Sequence, residues 1–139
     1  MRRKTFLALY WLPAVAWMAV IYYFSTLPEA MTPGRYVIPD KISHAGEYCI
    51  LAFFIFIALG RMTRLRFAAS SGIIIGWVTI FGISDEIHQL FVPTRHFDLL
   101  DLAADVGGAT FLMLILWLLQ RSGGWGTKIY RLLAGKERQ

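Results

Sequence analysis

Apolar residues in this chain gather into four long runs separated by short polar stretches. A helix that crosses a bilayer needs about 20 mostly apolar residues. Runs at about 6–24, 42–59, 67–91 and 99–119 meet that requirement or come close to it. The first carries no charge. The second contains His44 and Glu47, the third reaches past Asp85, and the fourth contains Asp101 and Asp105. This pattern predicts an all-α fold: a four-helix transmembrane bundle, with 1–139 as one domain and 120–139 as a tail. No repeat, low-complexity run or linker divides it.

Composition agrees, with 57% hydrophobic residues and a mean hydropathy of +0.53, more than a soluble domain carries. The first run follows Arg2, Arg3 and Lys4 as a signal peptide would. It is longer than the usual apolar stretch of such a peptide, and Pro28-Glu29-Ala30 is a poor cleavage site. An uncleaved helix is the expectation. A lone cysteine, Cys49, allows no intramolecular disulfide and reads as a small core residue.

The net charge of +5 is informative through its placement. Eleven Lys and Arg fall at the N-terminus, in the loop of Arg61, Arg64 and Arg66, and in the tail, whereas only Arg35, Lys41 and Arg95 fall on the other side. Short loops rich in Lys and Arg stay in the cytoplasm. Both termini are therefore expected there, and no nucleic-acid partner is expected. Tyr22 and Tyr23 at the outer end of the first run, and Trp117 at the inner end of the fourth, fit interfacial belts. The stretch 125–133 mixes aromatic, aliphatic and basic residues and suits the inner leaflet.

Eight of the nine acids lie on the outer half, together with His44, His88 and His96. Helical spacing sorts them into rows. Asp40, His44 and Glu47 fall at i, i+4 and i+7, with Tyr48 one turn beyond His44. Asp85, His88 and Gln89 share a face of the third helix, and Asp98, Asp101, Asp105 and Gly108 share one of the fourth. At a rise of about 1.5 Å per residue, Glu47, Asp85 and Asp105 all sit roughly 10 Å inward. A charge facing lipid costs about 2.5–3.5 kcal/mol or more. The economical arrangement turns the three rows toward one another around a shared outer pocket.

Each feature also has a structural explanation. Asp98 suits a helix N-cap and Asp101 its first turn. His44 and Glu47 could serve only to lock helices together. Arg95, in a tight hairpin fixed by Pro93, either pairs with Asp98 or Glu86 or grips a phosphate or carboxylate bidentately. Asp85-x-x-His88 and His44-x-x-Glu47 are a weak metal signal that leaves a divalent cation open as cofactor. No His-x-x-x-His or cysteine pair points to zinc.

Taken together, Asp40-Lys41-x-x-His44-x-x-x-Tyr48, Ser84-Asp85-Glu86-x-x-Gln89-x-Phe91-Val92-Pro93-x-Arg95 and Asp101-x-x-x-Asp105-x-x-Gly108 resemble the VanZ-like family over about residues 6–119. That family of small membrane proteins takes its name from a member associated with low-level teicoplanin resistance. The resemblance implies a multi-pass protein of the bacterial cytoplasmic membrane with a cell-envelope role, and no particular reaction. It carries over to Asp40, Lys41, His44, Tyr48, Asp85, Glu86, Gln89, Arg95 and Asp101. The family usually has Asn where this chain has Asp105, and often a small polar residue at Asp98, so these extra acids favour a cation or proton over a deep anionic ligand.

Three function classes follow. An enzyme acting on a lipid-linked or amphipathic envelope substrate would use His44 or Glu47 as acid or base, with Asp85 and Asp101 orienting it. Lys41, Tyr48, Glu86, Gln89, Arg95, Asp105 and Asp40 would then hold the substrate. A binder would hold a lipid head group, a lipid-linked cell-wall precursor or a glycopeptide through Arg95 and the aromatics. A small transporter or accessory protein ranks third, because the inner halves of the runs carry no charge.

Overall fold

The computed structural model describes residues 9–28 and 39–136. A short 3₁₀ turn, Leu9–Trp11, leads into α1, Leu12–Ser25. Then follow α2, Asp40–Met62; α3, Phe67–Gln89; α4, Leu99–Arg121; and α5, Gly124–Leu133. All described regular structure is helical, as the apolar runs predict. Each of α2, α3 and α4 has 23 residues. That is about 35 Å of helix, enough for a hydrocarbon core of about 30 Å. These three are long and apolar enough to cross a membrane, and α1 is a shorter apolar helix.

Local chemistry sets the helix ends. Pro39 precedes α2 and Asp40 occupies its first turn, where the helix dipole favours an acid, so α2 starts two residues before the expected 42. It continues past 59 to Met62. In turn, α3 stops at Gln89 rather than 91, because the Pro93 ahead disfavours helical backbone in the residue before it. At its far end α4 runs two residues beyond 119, to Arg121. The expected start of α1 at 6 lies outside the described residues, as do Arg2, Arg3, Lys4, Glu29, Arg35 and Arg138.

Helix α2 is central and packs chiefly on α4, with α3 against both and α1 along α2. Small residues make the α2–α4 approach close, as they do between membrane helices. A Cβ added to Gly108 would run into the Ala45 carbonyl and lie 2.9 Å from the Ala45 Cα. The middle of the bundle is apolar and tightly filled, with Leu51, Ile55, Ile74, Val78 and Leu116 all at most 2% exposed. Ile73, Trp77, Ile80, Phe111, Leu114 and Leu118 point outward instead. Toward one end the usual distribution inverts, with Asp85, Glu86, Gln89, Asp101 and Asp105 buried while Ile80 is 70% exposed. Such inside-out burial is stable in a hydrocarbon surround, where apolar faces cost nothing and charges must turn inward.

The tail is not a loose extension. Gly123 and Gly124 adopt positive φ of 69° and 47° and turn the chain into α5. Tyr130 then inserts between Phe56 and Phe67, each ring 6.0 Å away. Trp125, Ile129 and Leu132, at i, i+4 and i+7, form an exposed apolar stripe, and Lys128 sits over the Trp125 ring at 5.1 Å. This is the amphipathic pattern of a helix lying in an interface.

The tight α2–α4 contact yields a controlled test. Gly108→Ala is expected to lower stability in detergent by about 1–3 kcal/mol through overpacking. Gly107→Ala meets nothing within 4 Å and is expected to be neutral or stabilising. Thermal unfolding of the two variants side by side measures the difference.

Candidate functional site

At the end of the bundle where α2 begins and α3 finishes lies a cavity of about 50 Å³. Asp40, Ser43, His44 and Glu47 line it from α2, Asp85 and Gln89 from α3, and Ile21, Phe24 and Ser25 from α1. Arg95 closes it from the α3–α4 hairpin. The i, i+4, i+7 row of α2 thus faces the end of α3 as the spacing predicts, because neither helix can turn those groups to lipid.

The α4 row stands behind the α2 row. His44 Nδ1 lies 3.0 Å from Asp105 Oδ1, and both residues are buried. Asp105 packs so closely on α3 that a Cβ at Gly82 would meet its Oδ2 at 2.9 Å. Sequence reasoning put Asp105 on the shared pocket, whereas it supports His44 from behind without lining the cavity. The other His44 nitrogen, Nε2, points toward Asp101 Oδ2 at 4.0 Å. Lys41 forms ion pairs with both Asp101 Oδ1 and Asp98.

Glu86 and Asp98 fix the hairpin. Asp98 caps α4 by accepting from the Leu100 N–H at 2.8 Å, and its own N–H donates to Glu86 Oε2 at 2.7 Å. The cap expected of Asp98 is therefore formed, while Glu86 serves the backbone and not the cavity. The Arg95 N–H closes a turn onto the Val92 carbonyl at 3.1 Å, with Thr94 at a φ of 70°. That left-handed conformation is costly for a β-branched residue, which marks the hairpin as geometrically constrained. It brings the Arg95 Nε within 3.3 Å of the Leu27 carbonyl, so Arg95 bridges the hairpin and the end of α1.

Tyr48 lies in the core, fully buried, with its ring 5.9 Å from Phe81 and its hydroxyl without a hydrogen-bond partner among the described residues. His88 faces α1: its ring stacks on Tyr22 at 4.3 Å and its Nδ1 meets the Tyr22 hydroxyl at 3.1 Å. Trp17 holds α1 to α2 by donating to the Glu47 carbonyl at 2.9 Å. Sequence reasoning missed Ser25 and Ser43. Ser43 sits four residues before Glu47 and was legible as part of that row, whereas nothing on the apolar first run marked Ser25.

Against known protein families, the model for VanZ/LLP1 matches residues 10–120. The chain belongs to the VanZ/LLP1 family. No curated protein and no solved structure matches it. The VanZ/LLP1 match spans α1 to α4 and takes in every residue of the cavity described above. It ends before α5, so the docked tail helix lies beyond the part of the chain that the family model describes. Family membership and the apolar helices together make this a membrane protein.

The exposed edge of this VanZ/LLP1 site is open to a pH test. Contact with Lys41, then the Leu100 N–H, holds the Asp98 carboxyl below its ordinary range. A depressed carboxyl stabilises the fold above its unfolded-state value, and the stabilisation is lost as pH falls through the folded-state value. Asp98→Asn keeps a good N-cap but removes that charge. Thermal stability of wild type is expected to fall on acidification below the ordinary carboxylate range, and the Asp98→Asn variant to fall less over the same window.

Proposed function

We propose that this VanZ/LLP1 protein uses the acidic end of its bundle, facing the cell exterior, to bind or modify the head group of a lipid-type envelope component. On this reading the protein is multi-pass in the bacterial cytoplasmic membrane with both termini inside. The basic residues Arg61, Arg64, Arg66, Arg121, Lys128, Arg131 and Lys136 gather at the opposite end, which supports that orientation.

The observation that carries the proposal is the cavity itself, with one histidine, three carboxylates and an arginine converging on a space reachable from α1, α2, α3 and the hairpin. Arg95 suits a phosphate or carboxylate oxygen, and His44 beside Glu47 suits proton transfer to or from it. Size narrows the occupant. One water needs about 10–15 Å³, so about 50 Å³ accepts an ion, a few waters or the tip of a head group. A glycopeptide is far larger, so a contribution to teicoplanin tolerance would act through an envelope lipid and not through the drug entering the cavity. The apolar packing of Leu51, Ile55, Ile74 and Val78 below the cavity speaks against a through-going transport path.

His44→Ala and Asp85→Ala, made separately and checked for membrane insertion, are each expected to abolish the envelope phenotype, read as glycopeptide tolerance and envelope-lipid composition. Arg95→Ala is expected to weaken head-group binding about 10–100-fold, the loss of a charge-assisted contact of about 1.5–3 kcal/mol. Wild-type behaviour of both alanine variants at His44 and Asp85 would remove the cavity from the function. A bound lipid recovered chemically unchanged after long incubation would assign binding and not catalysis.

A further inference from the structure

We propose that Asp40, His44 and Asp101 form a divalent-cation site, with Asp105 as the residue that positions His44 for it. One donor atom from each of the three lies within 4.8 Å of the others. A point central to three atoms so placed is at most about 2.8 Å from each, so a modest inward rotation brings them to the roughly 2.0–2.6 Å of ion–oxygen bonds. The triad differs from both i, i+3 pairs that the sequence suggested. It joins the first turns of α2 and α4, which only the fold brings together.

The donors are set up in the manner of a metal ligand shell. A ligating histidine commonly gives its second ring nitrogen to a carboxylate, which fixes the tautomer and strengthens the ligand. Asp105 stands in that place at Nδ1, leaving Nε2 directed at Asp101 Oδ2. Lys41 takes the other Asp101 oxygen, so Oδ2 is the one left to face His44. His44 is 8% exposed and Asp101 6%, so both are held in a low-dielectric surround.

A second observation points to a cation independently. Asp85 lines the same cavity and is 3% exposed, and its Oδ1 has no hydrogen-bond donor among the described residues. A buried carboxylate oxygen without a donor calls for a positive partner nearby. Two carboxylates and one imidazole suit Mn²⁺ or Zn²⁺. Three protein ligands leave coordination positions open, as in catalytic sites, and two of the three, Asp40 and His44, also line the cavity. The inference goes beyond the proposed function. It is tested without lipid, so a failure of one is distinguishable from a failure of the other.

The test is titration of the metal-stripped full-length protein in detergent with Mn²⁺ alone, followed by electron paramagnetic resonance and calorimetry. One equivalent is expected to bind saturably. Asp105→Asn is expected to weaken binding about 10–100-fold, as outer-shell changes do. Asp101→Asn is expected to abolish the saturable phase, while Glu47→Gln, in the same cavity but outside the triad, is expected to change it far less. Absence of saturable binding overturns the proposal, as does equal weakening by Glu47→Gln and Asp101→Asn. Because Asp101→Asn also alters the Lys41 pair, thermal unfolding of each variant is measured beside the titration. The loss counts in favour only for a variant that melts as wild type does, and Asp105→Asn binding at wild-type affinity counts against.

Discussion

The contact on which the rest depends is the hydrogen bond between His44 and Asp105, made possible by the close approach of α2 and α4 at Ala45 and Gly108. An imidazole and a carboxylate buried together in a bilayer-sized bundle satisfy each other where neither could face hydrocarbon. The glycine one turn beyond Asp105 removes the side chain that would hold the helices apart. From that point outward the neighbouring polar groups fall into place: Asp101 beside His44 and Lys41, Asp98 on the helix cap, and Glu86 under the hairpin.

Two kinds of work divide the polar residues. Asp98, Glu86 and Lys41 hold backbone and chain crossings, spending their hydrogen bonds on capping the hairpin and tying α2 to α4. His44, Glu47, Asp85 and Gln89 turn to the cavity, where Asp85 Oδ1 is left without a donor among the described residues. An unfinished set of buried partners is costly. Within this family fold it sits beside the arginine of a strained turn, and sites of that kind are where function concentrates.

The opposite end follows interfacial physics. Tyr130 anchors α5 beneath α2 and α3, while Trp125, Ile129 and Leu132 are left outward among lysines and arginines. Pinned on one face by Tyr130 and apolar on the other, α5 packs across the ends of α2 and α3 that lie away from the cavity.

The sequence by itself determined the four apolar helices and the faces that had to turn inward, because hydrophobic length and the i, i+4 spacing are local properties, whereas the tail helix α5 was not among them. It also marked Asp40, His44, Glu47 and Asp85 as one neighbourhood, since a charge in hydrocarbon has nowhere else to go. Ser25 stayed hidden, because one hydroxyl at the end of an apolar run carries no signal of what will lie across from it. Which carboxylate would stand behind His44 and which would line the cavity was decided by tertiary structure alone. That choice depends on the rotation and separation of α2 and α4, quantities fixed by the packing of Gly108 on Ala45 and absent from either helix read alone.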